Sequence, residues 1–197
     1  MELQKIQVTK KRTLNITFKN ETGDIVTVAG ANLVHKDLRS AMNVLIPHIA
    51  FATEQHETFG KTLQEVEANR IQDDKEDSVF RWLSVDTITI AADGITLAGT
   101  RILQTGDVIK VESPVINING ESKYLYPDEL SLAVEAVKYE AEAYYTEQKW
   151  GVKEASLDFG EEDPFNAENL TADEVPSAEQ QPEPKKKRKA KTVKIAS

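Results

Sequence analysis

The chain has 197 residues, no cysteine and a formal net charge of −9. Without thiols it can form neither a disulfide scaffold nor a thiolate metal site nor a cysteine nucleophile, and no apolar stretch follows Met1–Lys5 that would serve as a signal peptide or membrane helix. Residues 1–153 hold 17 basic and 23 acidic residues, residues 154–184 ten acidic and no basic ones, and residues 185–197 seven basic and no acidic ones. A mildly acidic domain argues against a mainly electrostatic DNA-coating surface.

Residues 4–8 and 12–19 alternate with the period of strands, Leu14, Ile16 and Phe18 falling on one face. Glu21-Thr22-Gly23-Asp24 is a turn, and Ile25–Val28 resumes the pattern, which predicts an N-terminal hairpin. From Lys36 the period becomes helical, with Leu38, Met42, Leu45 and Ile49 in one stripe. Pro47 is expected to kink or split that helix, because it removes a backbone donor. Residues 53–77 read as a continuing exposed helix and then a loop, ending in the acidic cluster Asp73, Asp74, Glu76, Asp77. Strands are predicted from Leu83 to Ile90 and from Ile95 to Leu103, joined through Asp93-Gly94, with a third at Val108–Val111 and an edge piece at Val115–Ile118 beyond Pro114. The last helix starts at Pro127 with Asp128 and Glu129, and carries Leu130, Val134, Val137, Ala141 and Tyr144/Tyr145 on one face. It is expected to reach about Trp150 and to stop at Gly151. This order predicts an α+β domain over 1–153, an antiparallel sheet with helices on one face. The proline- and glutamate-rich residues 154–184 are expected to be an acidic disordered linker, and residues 185–197 a basic disordered tail.

Few residues form a chemical motif. Gly60-Lys61-Thr62 lacks the glycine of a phosphate loop, Gln55 standing in its place. His35, His48 and His56 have no metal-ligand spacing and read as surface or helix-end residues. The Asp73–Asp77 cluster lacks the spacing of a calcium loop and reads as a solvated charge run. No Gly-x-Ser-x-Gly occurs; no metal or cofactor is expected, and an enzyme, whose groups could assemble from distant positions, stands last among the readings.

Nucleic-acid binding has more support. The first 19 residues carry Lys5, Lys10, Lys11, Arg12 and Lys19 against one acid, Glu2. Single-strand binding needs basic groups beside aromatic platforms, and Trp82, Tyr124 and Tyr126 are the stacking candidates. Phe18 shares a face with Leu14 and Ile16 and is assigned to the core. Leu157-Asp158-Phe159-Gly160-Glu161-Glu162-Asp163-Pro164-Phe165 resembles the acidic tip ending in Pro-Phe by which bacterial single-stranded-DNA-binding proteins recruit replication partners. There the tip is the C-terminus itself, whereas 32 residues follow Phe165. The resemblance implies a partner-binding role for Phe159, Pro164 and Phe165. The alternative, that Leu157 and Phe159 pack back on the domain, stays open. Pro184-Lys185-Lys186-Lys187-Arg188-Lys189 resembles a monopartite nuclear localisation signal. In a bacterial or phage protein the same run is a phosphate-binding arm.

Val34–Leu38, Ile46–Ile49, Gly99-Thr100-Arg101 through Ser113-Pro114, Leu125–Tyr145, Lys149–Lys153 and Leu157-Asp158-Phe159 together resemble a set of small proteins from phages and prophages of Bacteroidales gut bacteria. The resemblance implies a phage-related protein of the bacterial cytoplasm and no particular activity. A non-enzymatic accessory protein of phage DNA metabolism is therefore expected, with single-stranded nucleic acid or a replication protein as partner. A virion or scaffold protein and an acidic inhibitor of a host enzyme are the alternatives. A nuclear location would follow only from a eukaryotic host.

Overall fold

The alternating runs pair into two three-stranded meanders that meet at their first strands. The computed structural model describes residues 2–72, 77–118 and 122–152. Asp73, Asp74, Glu76 and residues 154–197, with Phe159, Pro164, Phe165 and Lys185–Lys189, lie outside the described residues. The strands are β1 (Glu2–Val8), β2 (Thr13–Lys19), β3 (Ile25–Leu33), β4 (Leu83–Ala91), β5 (Gly94–Ile102) and β6 (Val108–Glu112). They form one antiparallel sheet in the order β3-β2-β1-β4-β5-β6. The register places Ile16 opposite Ile6, Ile6 opposite Ile88 and Ile88 opposite Leu97. All four side chains are essentially fully buried, so one aliphatic row crosses the join between the meanders. Each such side chain contributes roughly 1.5–3 kcal/mol of apolar burial. Beyond Pro114 the predicted edge piece is a single bridge, Ile116 exchanging both backbone hydrogen bonds with Ile95.

Helices α1 (Lys36–Ala52) and α4 (Pro127–Thr146) pack on one another, α1 against β4 and α4 against β1, with the short α2 (Leu63–Ala68) and α3 (Val79–Trp82) alongside α1 and β4. The architecture is α+β. His35 caps α1, its ring accepting from the Asp37 amide, and the expected stripe Leu38, Met42, Leu45, Ile49 is buried. Pro47 does not split the helix. Ile46, Pro47, His48 and Ile49 are all buried, and that packing outweighs the one backbone bond that proline removes.

The stretch after α1 also differs from expectation. Instead of continuing as an exposed helix, the chain turns at Glu54 (φ 51°), makes a 3-10 turn at His56–Thr58, turns again at Gly60 (φ 69°), and restarts as α2. Thr62 and Glu65 form a reciprocal capping box at that start. Glu57, Thr58, Leu63 and Val66 are buried. Leu63 and Val66, three apart, supply the apolar contact that draws this segment inward. Glu57 is neutralised by Arg101 of β5, which donates from both terminal nitrogens to its two oxygens at 3.1 and 2.7 Å. The acid's side chain is 2 % exposed and that of the arginine 12 %.

α4 stops a turn earlier than its pattern predicts. Glu147 caps it and Gln148 takes a left-handed conformation (φ 56°). Gly151 is needed for close approach, not as a helix stop: a Cβ there would lie 2.3 Å from the Val34 carbonyl oxygen.

Removing one member of the Glu57–Arg101 pair strands a buried charge, so Arg101→Ala should cost about 3–5 kcal/mol in urea unfolding. The double variant Glu57→Leu/Arg101→Met should recover most of that loss.

Candidate nucleic-acid interface

The site is built around a bulge between β2 and β3. Thr13 pairs with Leu33 but Asn15 with Ala29, so two steps along β2 oppose four along β3. Two tyrosines of α4 donate to strand carbonyls in and beside this bulge. Tyr145 donates its hydroxyl towards the carbonyls of Leu14 (2.8 Å) and Val28 (3.2 Å), and Tyr144 donates to that of Asn32. Burial pushes the Tyr145 phenol up to about 12, so it remains a donor at neutral pH. Gly30 sits inside the bulge, where a Cβ would come within 2.6 Å of the Tyr144 hydroxyl. The bulge swings Leu33–His35 across the end of the sheet. There the Val34 amide donates to the Arg12 carbonyl (2.8 Å) and Val34 bridges Trp150.

Three chain segments thus converge: the β1–β2 turn, the β3–α1 junction and the strap after α4. They enclose a hollow of about 610 Å³ that includes Arg12, His35, Lys36, Arg39 and Trp150. Lys36 and Arg39 also line a second hollow of about 330 Å³ beside Val8 and Asn43, so the two hollows of this groove adjoin at these side chains. Among the described residues, no carboxylate lines either part. Arg12, Lys36 and Arg39 are exposed and make no ion pair among the described residues. Asp37, the nearest acid in sequence, is already engaged: Lys149 donates to it at 2.8 Å and to Glu140 at 2.7 Å. That hydrogen bond holds the Asp37 carboxyl below its ordinary value of 3.8, and its counterpart raises the Lys149 ammonium. The clamp fixes the strap, and the Trp150 indole donates to the Tyr144 carbonyl at 3.1 Å.

Of the residues singled out in sequence, Arg12 belongs to this groove. It ends a tight connection in which Thr9 and Thr13 bond through amide and hydroxyl, and it takes the left-handed conformation (φ 59°) usual for glycine. Lys10 and Lys11 are exposed in the same turn, whereas Lys5 and Lys19 lie on the open face of the sheet. That face holds Thr17, Thr27, Thr89 and Thr96 and, among the described residues, no aromatic.

The predicted stacking residues serve the protein itself. The Tyr124 hydroxyl meets His48 Nδ1 at 2.8 Å, the Tyr126 hydroxyl accepts from the Leu63 amide, and Tyr126 packs edge-on to Phe51. The Arg81 guanidinium lies over the half-buried Trp82. His48 is no surface residue: it is 1 % exposed, and burial lowers its ring to about 4. Phe18 packs on the core as expected. Sequence reasoning missed Lys36, Arg39 and Trp150, which become neighbours of Arg12 only through the bulge and the strap. The one local signal was Lys149-Trp150-Gly151, an aromatic beside a basic residue.

Among the described residues no three acids or histidines are grouped to hold a metal ion, and no helix is long and apolar enough to cross a membrane. No family model, curated protein or solved structure matches the chain.

A carboxyl held low by its partner loses that interaction as pH falls through the folded-state value. The fluorescence of Trp150 in a Trp82→Phe background should therefore stay constant from neutral pH to about 3.8 and change below it, and Asp37→Asn should reproduce the acid spectrum at pH 7. Removing the Tyr144 hydroxyl leaves a strand carbonyl unpaired, so Tyr144→Phe should lower urea stability by about 1–2 kcal/mol.

Proposed function

We propose that this chain is a non-enzymatic accessory protein of phage DNA metabolism that binds single-stranded nucleic acid in the cytoplasm of a bacterial host. The observation that carries the reading is the groove in which, among the described residues, Arg12, Lys36 and Arg39 have no ion-pair partner and no carboxylate joins them around a half-exposed tryptophan. Charge without an internal partner is available to phosphate, and the aromatic beside it is what distinguishes a strand-binding groove from a general anion patch. The lysine-rich residues 185–197 are a second phosphate-binding element in this reading, and Phe159, Pro164 and Phe165 the contact for a replication protein. Restriction to phage biology rests on the sequence resemblance alone.

A second reading, a self-associating structural protein, is favoured by the outer edge of the sheet. β6 leaves Val108 63 % and Ile109 43 % exposed, beside Ile102 at 41 %, and such an edge can pair with another strand. Light scattering of the full chain separates the two: a monomer at high concentration counts against assembly.

The nucleic-acid reading is tested by fluorescence anisotropy of a labelled single-stranded oligonucleotide against salt. Each phosphate contact contributes about 0.7 to the log–log slope for single strands. The triple variant Arg12→Gly/Lys36→Gln/Arg39→Gln should therefore flatten the slope by about 2 and weaken low-salt binding at least tenfold. Glycine suits the backbone at position 12, so this variant should unfold within about 1 kcal/mol of the parent. An unchanged slope would remove the groove from the interface.

A further inference from the structure

We infer that Trp150 is a base-stacking platform, and that the groove takes a single-stranded segment with one unpaired base on the indole and adjoining phosphates on Arg12, Lys36 and Arg39. This rests on the nucleic-acid reading and adds to it which strand form is bound and by which ring. Trp150 is 41 % exposed although it is held on three sides. Its backbone bridges Val34, the amide of Gly151 donates to the Leu33 carbonyl at 2.8 Å, and its indole nitrogen donates to the Tyr144 carbonyl. The indole nitrogen is thus satisfied inside the protein while the residue as a whole stays 41 % exposed. A ring fixed in this way loses little conformational freedom when a base is laid on it.

Other exposed aromatics lack this setting. Phe59, 67 % exposed, shares its hollow with Glu54, and Tyr139, 64 % exposed, lies on α4 between Glu135 and Glu142. Trp150 shares its hollow with three cations and, among the described residues, no carboxylate. Base faces in a duplex are already stacked on one another, so a duplex can offer the groove phosphates alone. An unpaired strand offers both, and every base has a face to give. A free nucleotide shares this chemistry but spans fewer of the cations.

The experiment uses the full chain with Trp82→Phe, which leaves Trp150 as the single tryptophan. Its emission is titrated with a short oligothymidylate, a duplex of equal length, and thymidine monophosphate. The expected result is saturable quenching by the oligothymidylate, with the duplex and the mononucleotide at least tenfold weaker. Stacking carries no charge, so Trp150→Ala should weaken oligothymidylate binding by about tenfold or more while leaving the salt slope unchanged. Trp150→Phe retains a ring and guards against a folding defect; it should bind between the two. Oligothymidylate binding with unquenched emission and an indifferent Trp150→Ala would overturn the stacking while the nucleic-acid reading stood. Equal affinity for the mononucleotide would overturn the strand in favour of a nucleotide pocket. Absence of binding by any of the three would end both.

Discussion

The hydroxyls of Tyr144 and Tyr145 on the β2–β3 bulge are the contact on which the arrangement of the groove depends. Carbonyls in and beside the bulge lie within reach of α4, and an acceptor buried there without a partner costs about 1–3 kcal/mol. Two adjacent tyrosines at the end of α4 meet that need, and Gly30 leaves room for them. The consequence reaches past the bulge itself. β3 is redirected so that Val34 lies between Arg12 and Trp150, and α1 begins where Lys36 and Arg39 face the same hollow. A regular ladder from Thr13 to Ala29 would have carried Leu33 past the end of the sheet and separated the three segments.

The helix layer is placed by a different kind of interaction. The row Ile16, Ile6, Ile88 and Leu97 is apolar and non-directional, and it would tolerate α1 in several positions. Direction comes from polar contacts at the periphery. Glu57 and Arg101 pin the segment after α1 to β5, and Lys149 ties the start of α1 to α4 through Asp37 and Glu140. The two ties sit at opposite ends of α1. One is buried, so its loss strands a charge, whereas the other is solvent-accessible and responds to pH.

The parts legible in sequence are those governed by local periodicity. Alternation at 12–19, the stripe from Leu38 to Ile49, Asp93-Gly94 and Pro127 each act within a few residues and appear in the fold where they were expected. The misread parts turn on contacts made at a distance. Residues 53–77 read as a continuing exposed helix and then a loop because the partner of Glu57 is Arg101, 44 positions away. The end of α4 was placed at Gly151 because glycine usually marks a helix stop, while its cause here is the Val34 backbone. The site followed the same rule. Arg12 was visible as part of a basic run, but its groove partners lie 24, 27 and 138 residues further along.

An acidic domain with a basic groove involves no contradiction, because screening decides which charges a strand senses. At physiological ionic strength the Debye length is about 8 Å, so a phosphate in the groove responds to the groups within a few side-chain lengths and hardly to the excess of acids elsewhere. The nearest acids are also partly neutralised in place: Asp37 and Glu140 share the ammonium of Lys149, while Lys36 and Arg39 line a hollow that, among the described residues, holds no carboxylate. The acids outside that range still act at long distance in dilute salt, where they repel a polyanion before it arrives. For the proposed complex, added salt therefore has two opposed effects, lifting the long-range repulsion while weakening the phosphate contacts. Binding by such a groove depends less on net charge than on where carboxylates have been kept away.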